Sequence, residues 1–458
     1  MQTINREHPE YVARKAMWRQ YHDLYAGGER FRLNASEHLV RRNKEPGDVY
    51  QERLGRVFYE NYIGSIVDWY AATLMRREPM MLFEGEDEKA KSFFGILAHD
   101  CDLKGTSLSE FFRRQFVQML VYGCSYTVVD FPRSHGAALT RAEEDASGRS
   151  RAYLVDYSAE EVINWSYDQE GGLEWVVIRT SCLQQSKVTD ARWEKETRWV
   201  YYDRERFQIF RKAGEGGGIE LVDEGRHGLA GLQRVPVFSM RVTDGLWLMN
   251  KAALLQLEHF NKSNALSWAL TMGLFATPVV YSDREWNQIV GESYYIQLGK
   301  DDRFGWTEPE GKVYQIAADN LVRLKDEIYR VCYLMSQAGG SPDYRQSGLS
   351  KQRDFSITNE VLRAYGDAVK ETLQQVLWAI AAARQDGVSI GVSGLDEFDI
   401  EDFSNELDDA KKLLELGIGS ETLKRQVFKK LAFKYLCDAR QEVKNRVAEE
   451  IDRGGAGD

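Results

Sequence analysis

Two stretches of the sequence contain the residue types that bind phosphates or metal ions. The glycine run at 214–218 (GEGGG) has the composition of a phosphate loop, but neither a Gly-Lys-Ser/Thr ending nor a helix pattern follows it. The acidic run at 396–402 offers the carboxylates that hard cations prefer, yet it lacks the spacing of a calcium loop. We therefore interpret the first stretch as a hairpin turn and the second as a solvated strand end.

Familiar catalytic motifs are missing from the sequence. It contains no Walker phosphate loop, GxSxG turn, HExxH motif or dinucleotide fingerprint. The 7 histidines do not accompany a nucleophile motif, and the 5 cysteines are dispersed without paired spacing, as is typical of a reducing compartment. The sequence therefore predicts a protein that is not an enzyme and has no catalytic residue, metal site or cofactor.

The charge balance limits how the chain can contact nucleic acid. Its 458 residues carry a formal net charge of −11. Tight non-specific binding of duplex DNA requires a basic surface, so this charge balance disfavours a protein that binds DNA tightly. It still allows a protein along which DNA moves without being held. No apolar run approaches the roughly 20 residues of a membrane span, and the N-terminal residues lack the apolar core of a signal peptide.

Long helices in the C-terminal half are the elements that would position functional residues. Apolar residues at spacings of three and four predict helices at 317–337 and 355–386, and the polar loop 338–354 between them contains two adjacent glycines and a proline. Another long helix is predicted at 244–275, followed by a compact α/β insert at 276–316. The short strands predicted in this insert are 279–281, 294–298 and 312–316.

The first 243 residues divide into a helical part and a β-rich part. Helical patterns at 8–26, 50–76 and 86–100 and an N-cap at Ser107 lie in the first 123 residues. Runs of β-branched and aromatic residues between turn signals predict strands at 124–131, 152–157, 162–165, 173–180, 197–202, 207–210, 219–222 and 235–242. Four tryptophans here could stack on bases or occupy ordinary sheet positions: Trp165, Trp175, Trp193 and Trp199. The predicted fold class is α+β.

Six stretches, taken in order, resemble the portal proteins of tailed bacteriophages (Caudovirales), in particular a prophage-type branch formerly described as a domain of unknown function. They are YAGGERFRLNASEHLVRR, YQERLGRVFYENYIGSIVDWYAATLMRREPMMLF, FFRRQFVQMLVYGCSYTVVDFP, AYLVDYSAEEVINWSYD, SGLSKQRDFSITNEVLRAYGDAVKETLQQVLWAIA and FDIEDFSNELDDAKKLLELGIGSETLKRQV. No single motif in them is specific, so the resemblance rests on the ordered series, which spans nearly the whole chain.

The resemblance implies a ring of about twelve copies around a DNA channel at one capsid vertex. It assigns a wing to 1–243, stem helices to 244–275 and 317–337, a clip to 276–316, a tunnel loop to 338–354, a long helix to 355–386, and a wing strand with a short C-terminal helical crown to 387–458. Such a channel serves DNA packaging and ejection, and the assembled protein belongs to the virion after assembly in the host cytoplasm.

Two candidate contact sites follow from the resemblance. Tunnel-loop residues would touch the DNA backbone transiently or face a neighbouring subunit: Arg345, Gln346, Ser347, Lys351, Gln352 and Arg353. Clip aromatics would anchor partner proteins or form ordinary clip core: Trp286, Tyr294, Tyr295 and Trp306. The implied partners are further copies of the chain, double-stranded DNA, the large terminase, a head-completion adaptor, and the major capsid and scaffold proteins, but no membrane.

Two other classes of protein stay open at this point. One is a non-viral helical scaffold or adaptor that binds only protein, and the other is a nucleic-acid enzyme acting alone. A ring with an axial hole would distinguish the portal from the scaffold, and a metal-dependent nuclease or ATPase activity would identify the enzyme.

Overall fold

The computed structural model describes residues 2–85, 87–132, 151–184, 193–213, 217–273, 277–282, 300–307, 311–334, 348–396, 410–415, 420–436 and 441–454. Their helices and strands form the α+β fold that the sequence predicts. The fold divides into two compact units. The sheet unit comprises Met1–His22, Ile66–Asn250 and Gln352–Asp458, and the hairpin unit comprises Asp23–Ser65 and Lys251–Lys351.

Helices dominate the first part of the chain. They are α1 (Pro9–Ala26), α2 (Gly28–Leu33), α3 (Ala35–His38), α4 (Gly47–Gly55), α5 (Tyr62–Leu74), α6 (Glu88–His99) and α7 (Leu108–Tyr122). The predicted helices at 8–26 and 86–100 are confirmed. The single helix predicted at 50–76 is wrong, because the chain leaves the helical conformation after Gly55 and begins a new helix at Tyr62. Asn61 caps this new helix by accepting a hydrogen bond from the Gly64 N–H at 2.8 Å.

Helix α7 leads directly into the centre of a three-stranded sheet. Ser107 caps its start as predicted, accepting from the Glu110 N–H at 3.2 Å. Gly123 ends it in the left-handed region at φ 82°, where the Trp247 ring lies so close that a Cβ would meet it at 3.0 Å. The sheet that follows has the order β3 (Tyr153–Ser158), β2 (Cys124–Asp130), β9 (Val237–Arg241), with both pairings antiparallel.

A five-stranded antiparallel meander forms the second sheet. Its strands pair in chain order and are β4 (Val162–Tyr167), β5 (Leu173–Gln184), β6 (Glu194–Asp203), β7 (Arg206–Ala213) and β8 (Glu220–Arg226). Strands β5 and β6 extend beyond their predicted bounds, because cross-strand pairing satisfies the backbone of polar residues that lack a β pattern. The glycine run predicted to be a hairpin turn connects β7 to its antiparallel partner β8, and residues 214–216 of this run lie outside the described part of the chain.

Two helices and a small ladder form the second half of the hairpin unit. They are α8 (Leu248–Gly273), β10 (Thr277–Tyr281), β11 (Arg303–Thr307) and α9 (Gly311–Val331). The strand predicted at 312–316 is wrong, because these residues form the first turns of α9. The sequence KVYQI alternates like a strand, but the helical apolar period of α9 already includes Val313. Tyr333, at φ 62°, ends the helix before the predicted glycine stop.

A helix of 37 residues follows, α10 (Gly348–Arg384), about 55 Å long at roughly 1.5 Å per residue. The apolar stripe that the spacing predicts for it is buried, with Thr372 and Leu373 as the alternatives at one position: Val361, Tyr365, Val369, Thr372 or Leu373, Val376 and Ile380. The helix begins at Gly348 rather than near 355, so the end of the predicted loop is helical. No residue after Gly348 breaks a helix there, and the Lys351-Gln352-Arg353 run consists of good helix formers.

The chain then returns to the sheet unit. Strand β12 (Ser389–Ser393) pairs antiparallel with β1 (Met80–Glu84). A serine at position 420 is typical of an N-cap, and helix α11 (Glu421–Tyr435) begins directly after it. The dense mixture of charges at 436–453 predicts a last, partly exposed helix, and α12 (Gln441–Gly454) begins later than that. Among the helices that the structure describes, none combines the length and the apolar composition of a membrane span.

Candidate assembly surface

Helices α8 and α9, with the β10–β11 ladder, form an antiparallel hairpin in constant register. Lys251 donates to the Tyr333 hydroxyl, and its Nζ lies 4.2 Å from the ring centroid. Further along, Lys262 Nζ donates to Asn320 Oδ1 at 3.0 Å. Beyond the helices, β10 and β11 continue the pairing from Thr277 opposite Thr307 to Tyr281 opposite Arg303. Moving a given number of residues towards the C-terminus along α8 and β10 therefore corresponds to moving a similar number towards the N-terminus along α9 and β11.

Polar side chains in the middle of α8 bind the backbone of the preceding segment in the hairpin unit. Gln256 accepts from the Ile63 N–H at 3.3 Å and donates to the Glu60 carbonyl at 2.8 Å. Asn261 accepts from the Val40 N–H and donates to the His38 carbonyl. Asn264 accepts from the N–H of Phe58 and donates to the carbonyl of the same residue. These amides satisfy backbone groups at helix ends and in the non-helical segments between helices, which explains why polar residues interrupt an otherwise apolar helix.

His259 is a buried, ionisable group of α8 whose charge state matters for stability. Its ring packs edge-on against Tyr62 with centroids 5.0 Å apart, and its Nε2 lies 3.4 Å from the Glu60 carboxylate. Burial lowers the pKa of His259 below its ordinary 6.5, and Lys325 adds to the effect, while Glu60 opposes it. The folded hairpin unit therefore favours the neutral imidazole.

The free energy of unfolding should fall as the pH drops from about 7 to about 5. Because the pKa of His259 is lower in the folded state, the unfolded chain binds the proton first, and stability is lost progressively below about 6.5. Denaturant unfolding at both pH values would measure the loss. His227, which is also buried with a lowered pKa, contributes in the sheet unit. His259→Gln should make the loss smaller, and an unchanged pH dependence in this variant would contradict the assignment.

The first turns of α9, next to the ladder, carry exposed apolar side chains. On α9, Val313 and Ile316 lie one turn apart and are 65% and 60% exposed. The helical period that buries Leu324 and Ile328 continues back through Val313, so the apolar stripe extends beyond the residues that cover it. We call Val313 and Ile316 the α9 patch. An apolar stripe that continues into solvent is typical of a contact surface for another protein.

The structure places few of the predicted site residues. Lys351, Gln352 and Arg353 lie in the first turns of α10, and Trp306 lies in β11 opposite Pro278. The other predicted residues fall outside the described part of the chain: Arg345, Gln346, Ser347, Trp286, Tyr294 and Tyr295.

The sequence prediction missed the α9 patch. The cause was the strand assigned to 312–316, which hid the start of α9. Extending the helical spacing of Leu324 backwards through Leu321 and Ala317 to Val313 would have found it.

No protein-family model and no curated protein sequence matches the chain. It is similar to a chain in the neck of an empty GTA particle computed with C6 symmetry, at 13% identity and a TM-score of 0.42, over 83% of this chain and 92% of that one. A chain in the virion of a native gene transfer agent (GTA) particle has 13% identity and a TM-score of 0.41, over 86% and 97%. A chain in the neck of a native GTA particle computed with C12 symmetry has a TM-score of 0.40 at 13% identity, over 86% of this chain and 97% of that one. Similarity at this level does not assign a function, which has to be argued from the chain's own residues.

Proposed function

We propose that this chain is the portal subunit of a tailed phage or phage-like particle, in which about twelve copies form a ring around a DNA channel. One observation carries the proposal. The chain folds back as helix, ladder and helix in constant register, and a 37-residue helix follows in the sequence. This is the order of stem, clip, stem and long helix that the sequence resemblance implies.

The α9 patch supplies a reason for the subunits to associate. An isolated chain leaves Val313 and Ile316 mostly in water, and a neighbouring copy can cover them. A contact between two different surfaces of one chain repeats from copy to copy and closes into a ring when the rotation permits. The patch is therefore assigned to the contact between neighbouring subunits.

Charge explains how such a ring could pass DNA without holding it. A net charge of −11 per chain repels phosphates across a narrow channel, so tight binding is disfavoured. Arg345 of the predicted tunnel loop, with Lys351 and Arg353 in the first turns of α10, would offer brief contacts to the DNA backbone, without recognising sequence. The clip aromatics, Trp306 among them, would serve the terminase during packaging and an adaptor afterwards.

A comparison of the wild type with Arg345→Ala/Lys351→Ala/Arg353→Ala tests the proposal. Negative-stain electron microscopy should show rings with an axial hole for both proteins, since the substitutions leave the α9 patch intact. DNA packaging should fall only in the variant, because the loop loses its contacts to phosphate. Absence of a ring in the wild type would refute the portal function. Rings with normal packaging in the variant would refute only the role of the loop.

A further inference from the structure

A basic groove lies between helix α1 and the five-stranded sheet, within the sheet unit. It encloses about 810 Å³. Lys15 and Arg19 line one side and lie four positions apart on the same face of α1. On the other side, Ser181, Thr197 and Lys212 lie opposite one another on three consecutive strands. The cationic side chains of the groove are Lys15, Arg19, Arg179, Lys195 and Lys212.

Two of these cations are engaged by an acidic side chain. Glu7 accepts from Lys15 at 2.6 Å and from Arg179 at 2.9 Å. Burial alone would raise the pKa of Glu7, but these two hydrogen bonds outweigh it and lower the pKa. The remaining three cations of the groove form no ion pair with any residue in the described part of the chain.

Other carboxylates at the groove are held by their own donors. Glu160 accepts from the Tyr122 hydroxyl at 3.0 Å and lies 3.4 Å from His22 Nδ1. Glu161 accepts from both the N–H and the hydroxyl of Ser158, and burial raises the pKa of Glu161. Positive charge is therefore in excess in a confined cleft of an otherwise acidic chain, and such a field attracts anions.

The neighbouring groups indicate which anion fits. Hydroxyls beside lysine and arginine are the donors that contact phosphate oxygens in nucleic-acid complexes. Trp193 is 64% exposed and lies directly before the first residue of β6, two positions from Lys195 in the sequence. In contrast, Trp165 stacks on His8 at 4.2 Å, and Trp199 is buried. An exposed aromatic residue close in the sequence to a cation of a basic groove is typical of sites for single strands.

We propose that the basic groove binds the phosphate backbone of single-stranded nucleic acid, with Trp193 stacking on a base beside it. The cavity is too small to admit a duplex, whereas one backbone can lie along Lys195 and Lys212 with Arg19 opposite. This site goes beyond the portal role, because a ring that passes duplex DNA does not require it.

Fluorescence anisotropy of the full chain with a labelled oligothymidylate of about 15 nucleotides tests the site. Lys195→Ala/Lys212→Ala should weaken binding at least tenfold. It should also reduce the slope of log affinity against log salt concentration by about 1.4, since each lost phosphate contact accounts for about 0.7. Lys195→Arg/Lys212→Arg should keep the affinity within about threefold of the wild type.

Two arms identify the ligand, and a control tests the location. Trp193→Ala should weaken oligothymidylate binding while leaving competition by inorganic tripolyphosphate unchanged. Equal weakening of both would show that Trp193 does not stack on a base. Arg206→Ala/Arg211→Ala removes the same charge from exposed positions on β7 that do not line the groove, and it should have little effect. The proposal is overturned if the wild type does not bind at low salt, if the control loses as much affinity, or if polyglutamate binds more tightly than the oligonucleotide.

Discussion

Replacing Val313 and Ile316 together with aspartate should abolish ring assembly while leaving the folded chain intact. Both side chains are mostly exposed in the isolated chain, and substitutions at such surface positions usually change the free energy of unfolding by less than about 0.5 kcal/mol. At a subunit contact, each apolar side chain that becomes buried contributes about 1.5–3 kcal/mol, and a buried unpaired carboxylate costs more than that gain. The same loss repeats at every contact around the ring.

Light scattering after size-exclusion chromatography, with negative-stain imaging, would measure the loss. The matched control is Val322→Asp on the same helix. Val322 is 58% exposed and lies about half a turn around the helix axis from Val313. It should still form rings. Rings formed by the double variant, or equal disruption by the control, would show that the α9 patch is not the subunit contact. Far-ultraviolet circular dichroism should be unchanged in both variants.

Sequence patterns predicted the elements whose periodicity is long or whose boundaries have a chemical signal. The stripe of α10 from Val361 to Ile380 is one example, and the caps at Ser107 and Ser420 are others. The patterns failed where a boundary depends on tertiary contacts. Asn61 starts a helix inside an apparently continuous one partly because its amide also donates to the Tyr25 carbonyl at 2.8 Å, which the sequence does not indicate.

The sequence likewise contains no signal for a helix that ends at a residue other than glycine. Tyr333 adopts the left-handed conformation, and the Leu334 N–H bonds back to the Tyr329 carbonyl at 3.0 Å, which closes α9. The glycines at 339–340 gave a stronger signal for a helix end, but they come later in the chain. The Tyr333 hydroxyl also accepts from Lys251 on the other arm of the hairpin, a tertiary contact that the local sequence does not indicate.

The basic groove could be predicted only in part. Alternation along β6 places Lys195 and Thr197 on one face, and the spacing of four places Lys15 and Arg19 on one face of α1. The sequence does not reveal that these two faces meet. That depends on Asn5, whose side-chain oxygen accepts from both Arg179 and Trp199 and ties the N-terminal segment to the sheet. Contacts between residues so distant in sequence leave no periodic signature.

Removing the carboxylate of Asp386 should destabilise the sheet unit by about 3–5 kcal/mol. Asp386 accepts from Arg384 Nε at 2.9 Å, and the two side chains are only 0% and 5% exposed. The Arg384 guanidinium also lies 3.7 Å from the centroid of the Phe93 ring, which holds it in place at the end of α10. Asp386→Ala would remove one hydrogen-bonded carboxylate from a buried guanidinium, and water cannot readily replace that carboxylate.

Urea unfolding of three variants would distinguish two causes of the lost stability. One is the burial of a charge, and the other is the loss of any ion pair, whether buried or exposed. Glu360→Ala breaks the pair with Arg363 on the same helix, where the two side chains are 68% and 55% exposed, and it should cost less than about 1 kcal/mol. Arg384→Met/Asp386→Ala removes both charges of this buried pair and should recover much of the stability lost in Asp386→Ala, because the cost of burying the guanidinium is then removed as well. If the double variant is no more stable than Asp386→Ala, the cost lies in lost packing at the end of α10 rather than in the burial of the guanidinium.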